Sequence, residues 1–386
     1  MQSFHGLASF ALEKDNLSTQ LLRRIEKQKA FFSSTSKGEL LLYVNLPKRG
    51  IPTLANYLYI ILANKNVAEL CDNEKIEEII LNYVTILRLS LSAFYLLSDD
   101  ALPAYAEVFF HIGAITAAMT GKEANFYNQT AWCEPNMSWE EIKTLRFRND
   151  DSWIRFGLGV YQALWKFWDK DFLIGSYSHR SPLDAAWGIR GMPIFEEMHT
   201  APEKVKELVN WCCDWSIQVE KLFRENTQFV PGFRGTRGTI LPEGAIVVNA
   251  DPIDLISSDT AAVFDLPYTS KLFTKLGGGF YHHHSIGLHQ VKCIPSISGL
   301  YVQHIFNDYP ASTDIVEEMI ENEKLAEQIT EASMQVPIML DHIHFRFLQR
   351  LLPIVKQGRF ILSILCDSVD EAQACIKEVR KADTLS

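Results

Sequence analysis

Short apolar segments alternate along this chain with longer segments whose apolar residues recur at helical spacing. A short run that is rich in β-branched and aromatic residues and bounded by turn residues is typical of a buried strand. Such runs occupy residues 39–45, 172–177, 245–249, 279–284, 300–305 and 360–365. The pattern therefore predicts a sheet whose strands are mostly buried on both faces.

Helical spacing is clearest in residues 202–223. Pro202 suits a first helical turn, and Glu203 suits the positive end of the helix dipole. Other predicted helices cover residues 16–32, 317–333 and 370–382, and we interpret residues 341–352 as helical too, which would make His342 and His344 surface or packing residues. Strands and helices thus alternate through most of the chain.

A strand, a helix and a second strand in this order imply parallel pairing. Repetition of this unit favours a (β/α)8 TIM barrel over an open sheet, with an N-terminal helical extension at residues 1–38 and the barrel at residues 39–386. In such barrels the active site lies at the carboxyl ends of the strands. Candidate chemistry is therefore sought where each predicted strand ends.

Composition narrows the function further. The chain has 386 residues, 47% of them hydrophobic and 22% charged, as in ordinary globular enzymes. A net charge of −10 and a pI of about 5.6 exclude nucleic acid as the main partner, because that partner needs a basic face. With no secretory signal and no membrane span apparent, we expect a cytoplasmic protein, and its seven cysteines fit reduced thiols.

Three consecutive histidines mark the end of the predicted strand 279–284. Alternate residues of a strand share a face, so His282 and His284 should point together while His283 points away. A His-x-His pair is a common half-site for a divalent transition metal. The alternative is that the triplet is a polar loop used for hydrogen bonding.

Other polar side chains also follow predicted strands. Asn249 and Asp251 come after one strand, His304 comes near the end of another, and Cys366 and Asp367 follow the last. A polar residue often ends a strand for no chemical reason, so each one alone carries little weight. Their occurrence on several strands in turn predicts a site at this edge of the sheet.

Several blocks of the sequence resemble the uroporphyrinogen decarboxylase-like superfamily, which includes corrinoid-dependent methyltransferases. Examples are Gly175-Ser-Tyr-Ser-His-Arg-Ser-Pro and Tyr281-His-His-His-Ser-Ile-Gly. The resemblance runs from Asp99 to the C-terminus through residues 99–105, 175–191, 201–203, 251–257, 266–268, 281–287 and 297–304. It implies a TIM barrel, as the alternation of elements does.

The methyltransferase branch implies zinc bound by His-x-Cys at one strand end and by a late cysteine. In this sequence His282, His284 and Cys366 stand at those positions, with histidine replacing the first cysteine. The resemblance further implies catalytic roles for Asp251 and His304, the latter as a fourth ligand or as a partner of a ligand. A methyl-corrinoid, on a partner protein, would be the donor, and a small molecule the acceptor.

The decarboxylase branch implies a second function, the cofactor-free decarboxylation of uroporphyrinogen or a related polycarboxylate. Candidate substrate-binding residues are Arg180, Asn249, Arg234 and Arg237, and Lys48 and Arg49 occupy the region where that branch carries carboxylate-binding arginines. A third interpretation is a non-catalytic tetrapyrrole-binding protein. The resemblance also raises the expectation of a homodimer.

Overall fold

The computed structural model describes residues 19–46, 54–62, 67–94, 97–102, 105–106, 112–127, 130–169, 172–175, 177–226 and 233–384. In these ranges the strands are β1 Leu40–Asn45, β2 Tyr105–Ala106, β3 Asn125–Tyr127, β4 Thr130–Trp132, β5 Leu173–Ile174, β6 Ser178–Arg180, β7 Phe233–Thr236, β8 Thr239–Pro242, β9 Ile246–Asn249, β10 Gly279–His284, β11 Leu300–Phe306, β12 Ile338–His344 and β13 Phe360–Leu365.

The α-helices surround these strands. They are α1 Thr19–Ser33, α2 Leu54–Leu62, α3 Val67–Leu70, α4 Asn73–Phe94, α5 Ile112–Thr120, α6 Trp139–Ile142, α7 Ser152–Lys166, α8 Pro182–Arg190, α9 Pro193–Thr200, α10 Pro202–Asn226, α11 Ser258–Phe264, α12 Leu266–Leu276, α13 Ile315–Glu321, α14 Glu323–Gln335, α15 Leu348–Val355 and α16 Val369–Thr384. Short 3₁₀ helices cover Asp251–Leu255, Ser285–Gln290, Ile294–Ser296 and Phe345–Phe347. In the described ranges no helix has the length and apolarity needed to cross a membrane.

Seven of the described strands form one sheet in the order β1-β13-β12-β11-β10-β9-β6, and every neighbouring pair is parallel. Separate strand pairs are β2 with β5, β3 with β4 and β7 with β8. Both faces of the main sheet are covered, which explains why β9 and β13 are nearly continuous apolar runs. The protein is therefore an α/β protein with a parallel sheet.

One face of this sheet contacts α1, and we call it the α1 face. It carries Leu41, Val247, Phe280, Val302, Met339 and Ile361, which form one buried cluster with side chains of α1 and β8. The opposite face packs on α10, α12 and the helices from α13 to α16. Because side chains alternate along a strand, these residues also fix which later residues of each strand lie on the α1 face.

Local sequence explains where the elements near the sheet begin and end. Helix α8 begins after Ser181, whose side chain accepts a hydrogen bond from the Asp184 N–H, and proline occupies its first turn. Helix α12 ends at Gly277, which has φ of 98°, a left-handed conformation that suits glycine. The chain then enters β10, the strand that carries the histidines.

One predicted helix is wrong at its start. Residues Ile338–His344 form β12, so the segment holding His342 and His344 is a strand and only the part from Leu348 onward is α-helical. Asp341 lies in this strand, where pairing with β13 shifts register between Leu340 and Ile343. Asp341 lies two residues after Met339 and therefore on the α1 face, where it pairs with Phe306 of β11.

Candidate metal centre

Strand β10 separates the three histidines as the alternation predicts. His282 and His284 follow Phe280 on the α1 face, whereas His283 lies on the other face, fully buried. There His283 Nε2 lies 3.0 Å from Gln303 Nε2, and its Nδ1 lies 3.4 Å from Asp254 Oδ1. Only the His-x-His pair is therefore placed to act in a shared site.

Asp251 joins this pair. It opens the 3₁₀ helix that follows β9, and one donor atom each from Asp251, His282 and His284 lies within 4.8 Å of the other two. We call these three residues the candidate metal group. His282 is buried, while the side chains of Asp251 and His284 are about one-third exposed, at 32% and 30%. A small molecule can thus reach the group from solvent.

The donor types of this group suit zinc. Catalytic zinc sites commonly use two imidazoles and a carboxylate as three protein ligands and leave a fourth position for water or substrate. Two atoms that each lie about 2.1 Å from one ion are at most about 4.2 Å apart, so the side chains would draw together slightly on binding. Side-chain rotation of the half-exposed Asp251 and His284 is sufficient for this.

His284 lies between two carboxylates. Its Nδ1 is 2.6 Å from Asp308 Oδ1, and its Nε2 is 3.7 Å from Asp251 Oδ1. Burial lowers the pKa of His284, but Asp251 and Asp308 outweigh this effect and raise the pKa to about 9. The Asp308 contact fixes a proton on Nδ1. With a pKa of about 9, Nε2 is protonated too near pH 7, so it is the nitrogen that would release its proton on binding a metal.

His282 is the first member of a hydrogen-bonded series that we call the inner chain: His282, His304 and Asp341. His282 Nδ1 lies 2.8 Å from His304 Nδ1, and His304 Nε2 lies 3.1 Å from Asp341 Oδ2. Burial lowers the pKa of His304 to about 4 and lowers that of His282 well below its ordinary value. Both rings are therefore neutral near pH 7.

Neutral rings give the inner chain one proton arrangement. Burial raises the pKa of Asp341, but the hydrogen bonds from His304 and His342 outweigh it and lower the pKa well below the ordinary value. An ionised carboxylate only accepts, so His304 donates from Nε2 and accepts at Nδ1 from the Nδ1–H of His282. His282 Nε2 then carries a free lone pair, which is what a metal ligand requires.

Carboxylates that the sequence analysis did not single out support this group. Asp308 also accepts from the Ser285 hydroxyl, at 3.2 Å, and Asp254 accepts from the backbone N–H of His284, at 3.0 Å. Asp308 is the second residue after β11, so its position near a strand end could have identified it. Asp341 was missed because its strand was interpreted as a helix.

Cys366 is not a member of the candidate metal group. It follows β13 but is buried, at 1% exposure, in the apolar cluster on the face opposite the α1 face, where its thiol meets that of Cys375. The prediction of Cys366 as a metal ligand is corrected accordingly. Ile361 lies on the α1 face, so by alternation Cys366, five residues later, lies on the opposite face. Asp251 stands in its place.

The predicted substrate-binding residues lie in different settings. Arg180 is buried, and its three guanidinium nitrogens contact Asp184 Oδ1 and Oδ2 and Thr116 Oγ1 at 2.7 to 3.0 Å, so it is a structural residue and that prediction is corrected. Asn249 and Arg237 contact each other on the α1 face. The side chain of Arg234 and the whole of Lys48 and Arg49 lie outside what the structure describes.

His304 was predicted to be catalytic. It is fully buried between His282 and Asp341, so it contacts a member of the candidate metal group and does not face the opening. Of the two roles left open for it, partner of a ligand is the one that this geometry favours. Asp251, also predicted to be catalytic, lies directly in the candidate metal group.

Comparison with known proteins gives a fold and no family. No protein-family profile matches the chain, and no curated protein sequence matches it. Solved structures do match, in 23 chains. Among them is a methyltransferase from Methanosarcina mazei, which aligns with a TM-score of 0.51 and 11% identity over 94% of this chain and 98% of that chain. At this identity the likeness shows that the two chains share a fold.

Proposed function

We propose that this chain is a zinc-dependent methyltransferase of the uroporphyrinogen decarboxylase-like superfamily, moving a methyl group between a corrinoid donor and a small acceptor. The observation that carries the proposal is the convergence of Asp251, His282 and His284 at the carboxyl edge of a parallel sheet. The methyltransferase from Methanosarcina mazei, which shares the fold over nearly its whole length, agrees with this class of reaction.

The proposed fold is a closed (β/α)8 barrel. Strand β5 pairs in parallel with β2, and the chain continues from β5 into β6 at one edge of the main sheet. At the other edge, the Asp100 N–H donates to the Leu42 carbonyl of β1 at 2.7 Å, and the Asp99 carboxylate accepts from the Val44 N–H at 2.9 Å. The contacts of Asp99 and Asp100 with β1 and the pairing of residues 105–106 with β5 support a second barrel strand between the two edges.

A bound zinc ion would act as a Lewis acid that favours the deprotonated form of a coordinated thiol or water. The residues of the chain prepare the site for it. Asp308 orients His284, the inner chain orients His282, and burial of His282 and His304 keeps both rings neutral. The half-exposed Asp251 leaves access from solvent for the acceptor.

The proposed donor partner is a corrinoid protein. Three large apolar side chains are exposed in the segments that follow β9, β10 and β11: Leu255 at 57%, Ile286 at 53% and Tyr309 at 50%. Apolar residues exposed around an opening are typical of surfaces that bind a partner. A homodimer, which the resemblance implies, and a cytoplasmic location remain part of the proposal.

Methyl transfer can be tested with methylcobalamin as donor and a series of small thiols as acceptors. The zinc-loaded full chain should demethylate methylcobalamin, as followed by absorbance, and the chelated chain and the His284→Gln variant should lose at least 90% of the rate, a loss of roughly 1.4 kcal/mol in transition-state stabilisation. Ile286→Ala, which keeps every ligand, tests whether the apolar opening contributes.

The alternatives give different results in the same preparations. A decarboxylase would convert uroporphyrinogen without metal, and a tetrapyrrole-binding protein would bind cobalamin without turnover. The commitment of Arg180 to Asp184 removes one of the cations that a polycarboxylate would need. Decarboxylation that persists after chelation, with no methyl transfer to any acceptor, would refute the proposed function.

A further inference from the structure

Arg237 is the most unusual charged residue near the candidate metal group. It lies in the turn between β7 and β8 with φ of 43°, a left-handed conformation that residues other than glycine rarely adopt. The two-residue hairpin turn requires positive φ at both central positions, here Arg237 and Gly238, so the hairpin holds Arg237 in this conformation. The turn directs the guanidinium to the α1 face of the sheet.

Within the described residues the guanidinium has one hydrogen-bonding contact. Arg237 Nη2 lies 3.2 Å from Asn249 Oδ1, whereas Nε is buried and has no hydrogen-bond partner among these residues. Nor does any described carboxylate form an ion pair with Arg237. The residue is partly buried, and a cation withdrawn from water is normally paired, because the loss of hydration is costly unless a counter-ion compensates. The missing counter-ion is therefore the feature to explain.

The position of Arg237 relates it to the metal group. Asn249, its contact, is in register with His282 on the neighbouring strand, and Asp251 follows two residues later. The cation thus contacts the amide that pairs in register with His282.

We propose that the small molecule handled at the candidate metal group carries an oxyanion, a carboxylate in the first instance, which binds Arg237 and supplies the missing counter-ion. This inference rests on the proposed metal site and adds the class of ligand. The planar guanidinium offers a fork of N–H donors that matches a carboxylate, and the unpartnered Nε–H is one arm of that fork. Adjacent strands are about 4.8 Å apart, so a short acid can reach Arg237 and the metal together.

Malonate is a suitable probe, because one carboxylate can reach the metal while the other reaches Arg237. Titration calorimetry on the zinc-loaded full chain should show saturable malonate binding, at least tenfold tighter than that of malonamide, the neutral analogue. Arg237→Gln should weaken malonate binding by tenfold or more, and Arg237→Lys should restore part of it. Arg350→Gln removes one charge from an exposed position on α15, packed on the opposite face, and should leave binding unchanged.

Zinc content is measured in the same samples and separates the two proposals. Arg237→Gln should retain the zinc of the wild type, which shows that the variant is folded and that its defect is in anion binding. Equal malonate affinity in wild type and Arg237→Gln, or equal binding of malonamide, would overturn the inference. Failure of the wild type to bind zinc would overturn the proposed function. If malonate binding still depended on Arg237 in that case, the anion site would be supported without the metal site.

Discussion

At the residue scale, each histidine of the candidate metal group has a carboxylate that determines which ring nitrogen carries a proton and which can bind a metal. Asp308 does this for His284 directly, and Asp341 does it for His282 through His304. The sequence was sufficient to place His282 and His284 on one face, because strand alternation decides it. It was not sufficient to find Asp341, since that assignment needs the position of a strand distant in the chain.

Substitution of Asp341 tests the inner chain. In Asp341→Asn the amide can donate to His304 Nε2, which would move the His304 proton to Nδ1 and force the His282 proton onto Nε2, the nitrogen that should bind zinc. We expect zinc affinity to fall about 10- to 100-fold, the usual range for loss of such a partner. Competition with a chromophoric chelator measures it. The control is Asp367→Asn, since Asp367 follows the next strand and its side chain is 74% exposed. A change in zinc affinity below twofold in Asp341→Asn would contradict the positions assigned to the protons on His282 and His304.

Substitution of Cys366 distinguishes the structure from the sequence hypothesis. Because Cys366 packs in an apolar cluster with Cys375, Cys366→Ala should keep the full zinc content while losing about 1 kcal/mol of stability from the cavity left behind. Zinc per chain and the urea midpoint give the two quantities. Loss of zinc from this variant would restore Cys366 as a ligand and exclude the group described above.

At the element scale, the strands were predictable where both faces are apolar. The predicted segments 245–249, 279–284 and 360–365 match β9, β10 and β13 to within one residue. Strand β12 was missed because the buried Asp341, and His342 with φ of 61°, interrupt its apolar run, and the periodic apolar residues that follow belong to α15. The predicted helix 317–333 is two helices, α13 and α14, that meet at Asn322.

The 3₁₀ helix after β10 holds the strand end against Asp254. A Cβ at Gly287 would lie 1.7 Å from Asp254 Oδ1, and Asp254 accepts the His284 N–H. Gly287→Ala should therefore displace Asp254, lower the free energy of unfolding by about 1 to 3 kcal/mol and weaken zinc binding. Denaturant unfolding and zinc titration report both effects. Ile286→Ala, the exposed neighbour, should change neither by much, and a Gly287→Ala variant as stable as wild type would contradict this packing.

At the scale of the whole molecule, the parallel sheet brings residues far apart in sequence to one edge. Asp251 follows β9, His284 ends β10 and Asp308 follows β11. These three strands are neighbours in the sheet, and Asp341 lies on the next one, β12. The alternation of strands and helices predicted this arrangement in outline. The side chains that complete the site depend on register and on which residue past a strand turns inward, which the sequence pattern does not specify.

The buried neutral histidines make stability depend on pH. The pKa of His304 is about 4 in the folded chain, against about 6.5 for an unperturbed histidine, so the unfolded chain binds more protons between these values. The contribution to stability is complete above pH 6.5 and is lost as the pH falls toward 4, about 3 kcal/mol from His304, with His282 acting in the same direction. Urea unfolding of the chelated chain across this range measures the loss.

The His304→Asn variant isolates this effect. Its stability should fall less steeply from pH 6.5 to 4 than that of the wild type, because one of the two titrating rings is gone. His289→Asn is a control, since that histidine contacts the Ile256 carbonyl outside the inner chain. Parallel pH profiles for wild type and His304→Asn would contradict the account, because they would mean that the pKa of His304 is the same in the folded and unfolded chain.

Zinc stoichiometry of the purified full chain, measured by mass spectrometry of the metal after chelation and reconstitution, tests the candidate metal group most directly. The arrangement of Asp251, His282 and His284 predicts about one zinc per wild-type chain, with loss in His282→Gln, His284→Gln and Asp251→Asn and retention in Cys366→Ala. A wild-type chain that takes up no zinc, or single variants of all three residues that bind it as well as wild type, would contradict the proposed site.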